Sequence, residues 1–159
     1  MKKHGFSMII AVFFLFLAVT GAQAVTEIHW WHAMGGALGM RVDQITDNFN
    51  RSQSKYKLIA NYKGTYTETM TAGIAAFRAK KQPHIIQIFE VGTATMMGAK
   101  GAIKPVYQLM AETGAPFNPD GYVGAVKGYY TTTDGKMLSM PFNSSTPVLF
   151  YNKDAFKKA

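Results

Sequence analysis

The chain of 159 residues contains no cysteine. This absence excludes disulfide bonds, thiolate metal ligands and thiol nucleophiles. It also excludes the acylated cysteine through which a bacterial lipoprotein is tethered to a membrane. If the chain is exported, we therefore expect it to be free of a lipid anchor.

Acidic residues are few, with 9 Asp and Glu against 17 Lys and Arg and a formal net charge of +8. Such a charge is typical of proteins that bind nucleic acid or anionic membrane surfaces. Apart from short pairs at Lys80-Lys81 and Lys157-Lys158, however, the basic residues are spread along the sequence. No basic stripe interleaved with stacking aromatic residues is present, so nucleic acid is not expected as a partner.

The one long apolar run, at residues 8–19, is too short to cross a bilayer, which takes roughly 20 residues. Lys2 and Lys3 precede the run, and the small residues of Ala22-Gln23-Ala24 follow it. These three regions together are typical of a secretory signal peptide. We therefore predict that residues 1–24 are removed and that, in a bacterial host, the mature chain is periplasmic.

Familiar catalytic motifs are also missing. The sequence has no phosphate-binding loop, no nucleophile elbow and no zinc-binding H-E-x-x-H helix. His29 and His32 lie three positions apart, so on a strand they face opposite sides and do not form a ligand pair. The carboxylates show no metal-ligand spacing either: Asp43, Asp47, Glu68 and Glu90. We predict no metal, no cofactor and no catalytic residue. These absences disfavour an enzyme without excluding one, and the expectation is a protein that is not an enzyme.

Strand and helix patterns alternate in the first half of the mature chain. Strands are predicted at residues 26–31, 56–62 and 84–91, with a helix between each pair. The first helix has a predicted apolar face: Leu38, Val42, Ile45 and Phe49. The second begins at Thr65-Tyr66-Thr67-Glu68, which matches a capping box. This alternation predicts an α/β fold, a mostly parallel sheet flanked by helices.

The second half is less regular. We predict a helix at residues 105–113 ended by Gly114, a hairpin joining 129–133 to 137–140, a strand at 147–151 and a helix capped by Asn152. No glycine or proline ends this last helix before Ala159, so the sequence is predicted to be truncated within an element. One mature domain, or one lobe of a two-lobed protein, is the expected organisation.

In open α/β sheets, ligands bind beyond the carboxyl ends of the strands. Trp31, Tyr66 and Glu90 each fall at or just after the end of a predicted strand. A glutamate carboxylate only accepts hydrogen bonds, so Glu90 suits a ligand with hydroxyl donors, such as glycerol or a sugar. Tyr66 adds a hydroxyl donor near a helix start, and Ser144 with Ser145 add compact donors. These five residues are the predicted ligand-binding residues.

Each of the five also has an ordinary structural interpretation. Glu90 can be a solvated residue at a strand end, and Tyr66 can pack over the sheet. Ser144 and Ser145 can bond to local backbone in a turn, which is common for serine. Trp30 and Trp31 alternate on a strand, so one is expected in the core and only the other in the cleft.

Several segments resemble a known family: KGTYTETMTAGIAAFRAKK (63–81), EVGTATMM (90–97), AIKPVY (102–107), GYY (128–130) and PFNSSTPVLFYNKDAFKKA (141–159). In this order they resemble the maltose-type periplasmic solute-binding proteins of ABC importers, and within them the members that bind glycerol phosphates. The resemblance covers essentially residues 25–159. It implies a two-lobed periplasmic-binding-protein fold that closes on its ligand, with this chain supplying the N-terminal lobe and stopping before the second.

The resemblance also implies a ligand and partners. The ligand is sn-glycerol-3-phosphate and, in several members, a glycerophosphodiester such as glycerophosphocholine. The receptor delivers it to inner-membrane ABC permease subunits driven by a cytoplasmic ATPase. The family's ligand tyrosine, glutamate and serine fall on Tyr66, Glu90 and Ser145, with Glu90 accepting from glycerol hydroxyls and the other two donating to ligand oxygens. Further ligand groups of the second lobe would lie beyond Ala159.

Two other functions stay open from the residues themselves. A receptor for an uncharged oligosaccharide would suit the paired tryptophans. A secreted phosphodiester hydrolase would use Glu90 with a histidine or a metal, although the spacing of the carboxylates disfavours it.

Overall fold

The computed structural model describes residues 24–99 and 101–159. The predicted signal peptide, apart from Ala24, lies outside these residues. The chain divides into two compact units, Met1–Gln87 and Ile88–Ala159, called here the first and the second unit. Within the described residues, every helix is too short or too polar to cross a bilayer.

The first unit contains a three-stranded parallel sheet in the order β2-β1-β3. Its strands are β1 (Thr26–His32), β2 (Tyr56–Tyr62) and β3 (Ile85–Ile86). β1 and β2 pair along their whole length, from Thr26 opposite Tyr56 to His32 opposite Tyr62. Because the strands are parallel, their carboxyl ends meet at one edge of the sheet. The parallel pairing of strands joined by helices confirms the predicted α/β class.

Two helices connect the strands: α1 (Gly36–Ser52) and α2 (Tyr66–Arg78). The buried core is formed by Trp30, Met34 and Val42, against which four partly buried residues pack: Ala33, Leu58, Ala60 and Tyr66. α2 buries Thr69 and Gly73, the latter so close to Ile86 that a Cβ at this glycine would overlap the isoleucine side chain. The helix therefore lies close to the sheet at Gly73, where a larger residue would require the δ-methyl of Ile86 to move.

The predicted apolar face of α1 is wrong in detail. The helix forms, but it buries Val42 and Thr46, whereas Leu38 is 59% and Phe49 is 38% exposed. Val42 and Thr46 are four positions apart and so lie on one side of the helix. The side of α1 that packs in this unit is thus centred on Val42, and a polar residue shares it.

The predicted third strand is also wrong in its extent. Only Ile85 and Ile86 form a strand, opposite Trp30 and Trp31 of β1. β1 ends one residue beyond the last pair, at His32, so a strand as long as residues 84–91 would have had no partner for most of its second half. The remainder of the apolar run leads into a helix that begins at Glu90.

The second unit consists of short helices and loops. Its helices are α3 (Glu90–Met97), α4 (Val106–Thr113), α5 (Gly124–Tyr129) and α6 (Lys153–Lys158), with a 3-10 helix at Pro119–Gly121. α4 ends as predicted at Gly114, which adopts a left-handed φ of 65°. α6 begins as predicted after Asn152, whose side chain accepts from the backbone N–H groups of Asp154 and Ala155.

Two other predictions for this unit need correction. The hairpin is reduced to a single antiparallel bridge between Thr131 and Met137, because Tyr129 belongs to α5. The predicted strand at residues 147–151 is wrong: the described residues 141–152 form neither helix nor strand. β-branched and aromatic composition does not suffice for a strand, which needs a neighbouring strand to accept its hydrogen bonds.

Candidate ligand-binding site

The two tryptophans of β1 point to opposite faces of the sheet. Trp30 is buried at 8% exposure in the core, and Trp31 is half-buried. The ammonium of Lys63, the residue after β2, lies over the Trp31 ring at 4.2 Å from its centroid. Trp31 therefore sits near the carboxyl edge with a cation against its face, while Trp30 is a packing residue.

Gln87 joins the ends of β1 and β3, a role that was not predicted. Its backbone N–H donates to the Trp31 carbonyl at 2.8 Å, and its side-chain oxygen accepts from the Ala33 N–H at 2.9 Å. Gln87 is buried, so these bonds hold the two strand ends together at the carboxyl edge. The signal in the sequence was an amide inside the apolar run IIQIF.

Tyr66 is the first residue of α2 and lies within a complete capping box, between Thr65 and Glu68. The Thr65 hydroxyl accepts from the Glu68 N–H at 3.3 Å, and the Thr65 N–H donates to Glu68 Oε2 at 2.7 Å. Glu68 is exposed, and the backbone N–H of Thr65 holds the pKa of its carboxyl below the ordinary value. The Tyr66 ring packs partly buried against the core. The predicted helix start is thus confirmed, and the ring has a packing role in addition to any role in binding.

Glu90 is the first residue of α3 rather than the end of a strand. Its carboxylate accepts from the backbone N–H of Ser145 at 3.4 Å, a long hydrogen bond. Its backbone carbonyl accepts from the Tyr129 hydroxyl at 2.8 Å. A carboxylate in the first turn of a helix is also favoured by the helix dipole. Two segments distant in sequence therefore converge on Glu90, and the contact of Tyr129 was not predicted.

Ser144 and Ser145 are exposed within the irregular segment 141–152. Of the five predicted ligand-binding residues, the second unit thus brings Glu90 and Ser145 together, with Ser144 adjacent. In the first unit, Trp31 lies at the end of β1 and Tyr66 at the start of the helix after β2.

The three described histidines of the first unit contact each other or are buried: His29 and His84 do the former and His32 the latter. The rings of His29 and His84 stack with centroids 5.9 Å apart, and the backbone N–H of His29 donates to His84 Nδ1 at 3.0 Å. His32 is buried at 3% exposure, and burial lowers the pKa of its imidazole. In the part of the chain that the structure describes, no three His, Asp or Glu side chains are grouped as metal ligands.

An open depression of about 440 Å³ lies elsewhere in the second unit. It is lined by residues of α4, the following loop and the turn before Met137, among them Tyr107, Phe117 and Lys136. None of the five predicted ligand-binding residues lines it. The depression is therefore separate from the group formed by Glu90 and Ser145.

Comparison with known proteins gives one consistent result. Over 159 residues the chain is 51% identical to the sn-glycerol-3-phosphate-binding periplasmic protein UgpB of Agrobacterium fabrum, covering 100% of this chain and 36% of that protein. The protein of the same name from Yersinia pestis bv. Antiqua is 55% identical over 157 residues, which are 98% of this chain and 35% of that protein. The Rhizobium meliloti protein of this name is 52% identical over 138 residues, 87% of this chain and 32% of that protein.

These relatives are much longer than the chain, which spans 36% or less of the length of each of the three. The family of bacterial extracellular solute-binding proteins matches residues 42–159, most of the 159-residue sequence. The match begins within α1 and runs to the last residue, so it covers part of the first unit and all of the second. By this match, the chain belongs to the family of bacterial extracellular solute-binding proteins.

Proposed function

We propose that this chain is part of a periplasmic receptor that delivers sn-glycerol-3-phosphate to an ABC importer of the inner membrane. The observation that carries the proposal is the 51% identity, over the whole chain, with a periplasmic protein named for binding this ligand. The receptor binds and releases its ligand without chemical change. Its partners are the permease subunits and the cytoplasmic ATPase that drives them.

The proposal includes the organisation of the chain. Residues 1–24 form a signal peptide, and residues 25–159 form the N-terminal lobe of a two-lobed receptor. Support comes from the parallel sheet with flanking helices and from the greater length of the relatives. A clamp of two lobes excludes water from the ligand, which strengthens charge-assisted hydrogen bonds to a phosphate. We therefore expect the 159-residue chain to bind more weakly than the complete receptor.

The proposed ligand contacts have distinct roles. Glu90 accepts from the glycerol hydroxyls, since a carboxylate offers only acceptors. Ser145 and Tyr66 donate to ligand oxygens, Ser144 adds a further hydroxyl, and Trp31 offers a ring face. The contact from the Ser145 N–H to the Glu90 carboxylate supports a shared role for this pair. The hydroxyls of a bound glycerol would compete with this long bond for the same carboxylate.

A calorimetric titration of the complete receptor tests the ligand. We expect tight binding of sn-glycerol-3-phosphate, binding of glycerophosphocholine as the finer part of the proposal, and no binding of maltose. Phosphorus NMR after prolonged incubation with glycerophosphocholine should show the ligand unchanged. Binding of maltose alone, or of none of the three, would contradict the proposal, and release of glycerol phosphate would indicate the hydrolase instead.

Glu90→Gln tests the principal residue. The change removes the charge from an acceptor, so we expect about 10- to 100-fold weaker binding of sn-glycerol-3-phosphate. Glu112→Gln is the matched control, because Glu112 is an exposed glutamate on α4 that pairs with Lys104. A hydrolase would behave differently, since Glu90→Gln would then abolish turnover while binding persisted. Equal affinities of wild type and Glu90→Gln would exclude Glu90 as a ligand residue.

A further inference from the structure

Lys63 occupies a defined position at the carboxyl edge of the sheet. It follows β2 directly, and its backbone N–H donates to the His32 carbonyl at 2.9 Å, which joins it to the end of β1. Its ammonium lies over the Trp31 ring at 4.2 Å from the ring centroid. A cation held over an aromatic face is attracted by the ring quadrupole, so the lysine is less free than an ordinary surface lysine.

Among the residues that the structure describes, no carboxylate forms an ion pair with the ammonium of Lys63. The lysines that form ion pairs in residues 24–99 and 101–159 are others: Lys57, Lys104, Lys127 and Lys136. The nearest acidic residue in sequence is Glu68, whose carboxylate is bonded to the Thr65 N–H. The positive charge of Lys63 is therefore available to an anion.

Two other basic residues of these strands, His32 and Lys57, do not supply a positive charge at this edge. His32 is buried, and burial lowers the pKa of its imidazole, so at neutral pH it is uncharged. Its Nδ1 accepts from the Met34 N–H at 3.3 Å, which is consistent with the neutral form. Lys57 is on the same strand as Lys63 but lies near the amino end, where it pairs with Glu27.

The chain after Lys63 turns directly into a proposed ligand residue. Gly64 adopts a left-handed φ of 89°, and Thr65 then caps the helix whose first residue is Tyr66. Lys63 is thus separated from Tyr66 by a tight turn of two residues, and its side chain contacts Trp31, a second proposed ligand residue. A cation placed beside these residues suits the charged end of a glycerol phosphate better than its neutral hydroxyls.

We propose that Lys63, held against Trp31, recognises the phosphate of the ligand and makes the receptor selective for phosphorylated glycerol. This inference rests on the proposed function. Its general physical basis is that a charge-assisted bond to a phosphate is about twice as strong as a neutral hydrogen bond. The ligand class is a phosphate monoester or diester of glycerol.

Calorimetry on the complete receptor tests this inference with three variants. Lys63→Met removes the charge and keeps the apolar stem, and we expect sn-glycerol-3-phosphate to bind about 10- to 100-fold more weakly. The decrease of affinity with added salt should also become shallower, since one ionic contact is lost. Lys63→Arg should keep most of the affinity, because guanidinium retains both the charge and the ring contact. Lys57→Met, a matched change on the same strand, should alter affinity less than about twofold.

The outcomes separate this inference from the proposed function. A wild-type receptor that does not bind sn-glycerol-3-phosphate overturns both. If the wild type binds and Lys63→Met binds equally well, only the role of Lys63 is overturned. If Lys63→Met lowers the affinity but leaves its salt dependence unchanged, the role is also overturned, because the lysine then acts only by supporting Trp31. The role is overturned as well if Lys63→Met lowers the affinity no more than Lys57→Met does. Thermal unfolding checks that the variant folds, and Lys63→Gln replaces it if Lys63→Met does not.

Discussion

The two units of the chain are stabilised in different ways. In the first, seven residue pairs of β1 and β2 stand in continuous parallel register, and a buried core packs against them. In the second, the described residues contain one isolated bridge, between Thr131 and Met137, and short helices joined by loops. Its long-range contacts are few and individual: the Tyr129 hydroxyl donates to the Glu90 carbonyl, and the backbone N–H groups of Val106 and Tyr107 donate to the carbonyls of Leu138 and Met137.

This difference explains where local sequence patterns suffice. A strand in a regular ladder satisfies its backbone groups through neighbours of the same kind, so alternation and cap residues specify it well. A loop satisfies its backbone through individual side chains from elsewhere, and no local pattern encodes those partners. The comparison therefore predicts large effects from core changes in the first unit and smaller, more local effects in the second.

A matched pair of valines gives the largest expected contrast. Val42 is 1% exposed in the core of the first unit, and Val123 is 73% exposed in the second. Val42→Ala removes two buried carbons and leaves a cavity, so we expect the free energy of unfolding to fall by about 2–3 kcal/mol. Val123→Ala should change it by less than about 0.5 kcal/mol. Urea unfolding of the 159-residue chain measures both.

The contrast between the units fails if Val123→Ala destabilises the chain by as much as about 2–3 kcal/mol. It also fails if Val42→Ala changes the free energy of unfolding by less than about 0.5 kcal/mol, because the core of the first unit would then not be packed as described.

The third strand shows how far the sequence predicted the sheet correctly. Of the strand predicted at residues 84–91, only Ile85 and Ile86 belong to the sheet, and β1 offers no partner beyond His32. An apolar run of this kind does not by itself distinguish a strand from the start of a helix. Hence the helix that begins at Glu90 was read as part of the strand.

The candidate site shows the same limit. The positions of Trp31 and Tyr66 followed from strand ends and a capping box, both of which are local features. Glu90 and Ser145 are 55 positions apart, and the sequence pattern around neither residue indicated that the Ser145 N–H would bond to the Glu90 carboxylate. The contact of Lys63 with Trp31 also joins two strands, so it became visible only in the fold. Whether these residues bind ligand stays a prediction.

The capping box gives a second, smaller test. Thr65→Ala removes the hydroxyl that accepts from the Glu68 N–H, and such caps contribute about 1 kcal/mol. Because α2 packs against the sheet, we expect this loss in the global free energy of unfolding. Thr67→Ala, two residues later at the second position of α2, is the control and should leave the free energy of unfolding unchanged.

The corresponding cap in the second unit should act only locally. Asn152 caps a helix of 6 residues whose side chains are all exposed. Asn152→Ala should therefore reduce helix content near residues 153–158, measured by NMR chemical shifts, without changing the urea midpoint. An equal loss of global stability from both caps would contradict the contrast between the units.

Tyr129→Phe tests the side-chain contacts of the second unit. The change removes the hydroxyl that donates to the Glu90 carbonyl, an exposed bond for which we expect about 0.5–1 kcal/mol. The effect should appear as faster amide exchange in the first turn of α3. Tyr122→Phe is the control, because the Tyr122 hydroxyl forms no hydrogen bond to any residue that the structure describes. Unchanged exchange in α3 would show that this contact does not hold the helix start.

The smallest expected effect concerns two carboxyls, Glu68 in the first unit and Glu112 in the second, whose pKa values are lowered by different causes. The pKa of Glu68 is held below its ordinary value of 4.5 mainly by the Thr65 N–H, whereas that of Glu112 is lowered mainly by hydrogen bonding to Lys104. Since both folded-state values are depressed, each carboxylate stabilises the fold above pH 4.5, and this contribution is lost as pH falls through the folded-state value.

Salt should separate the two causes. At about 1 M salt, charges are screened within roughly 3 Å, so the pKa of Glu112 should rise toward its ordinary value while that of Glu68 changes less. NMR titration of the carboxyl carbons at low and high salt measures both. Lys104→Met is the control, because it should raise the pKa of Glu112 and leave Glu68 unaffected. Equal salt responses would mean that the Glu68 carboxyl is held by charge rather than by the backbone bond of its capping box, and the contrast between the units would not extend to their electrostatics.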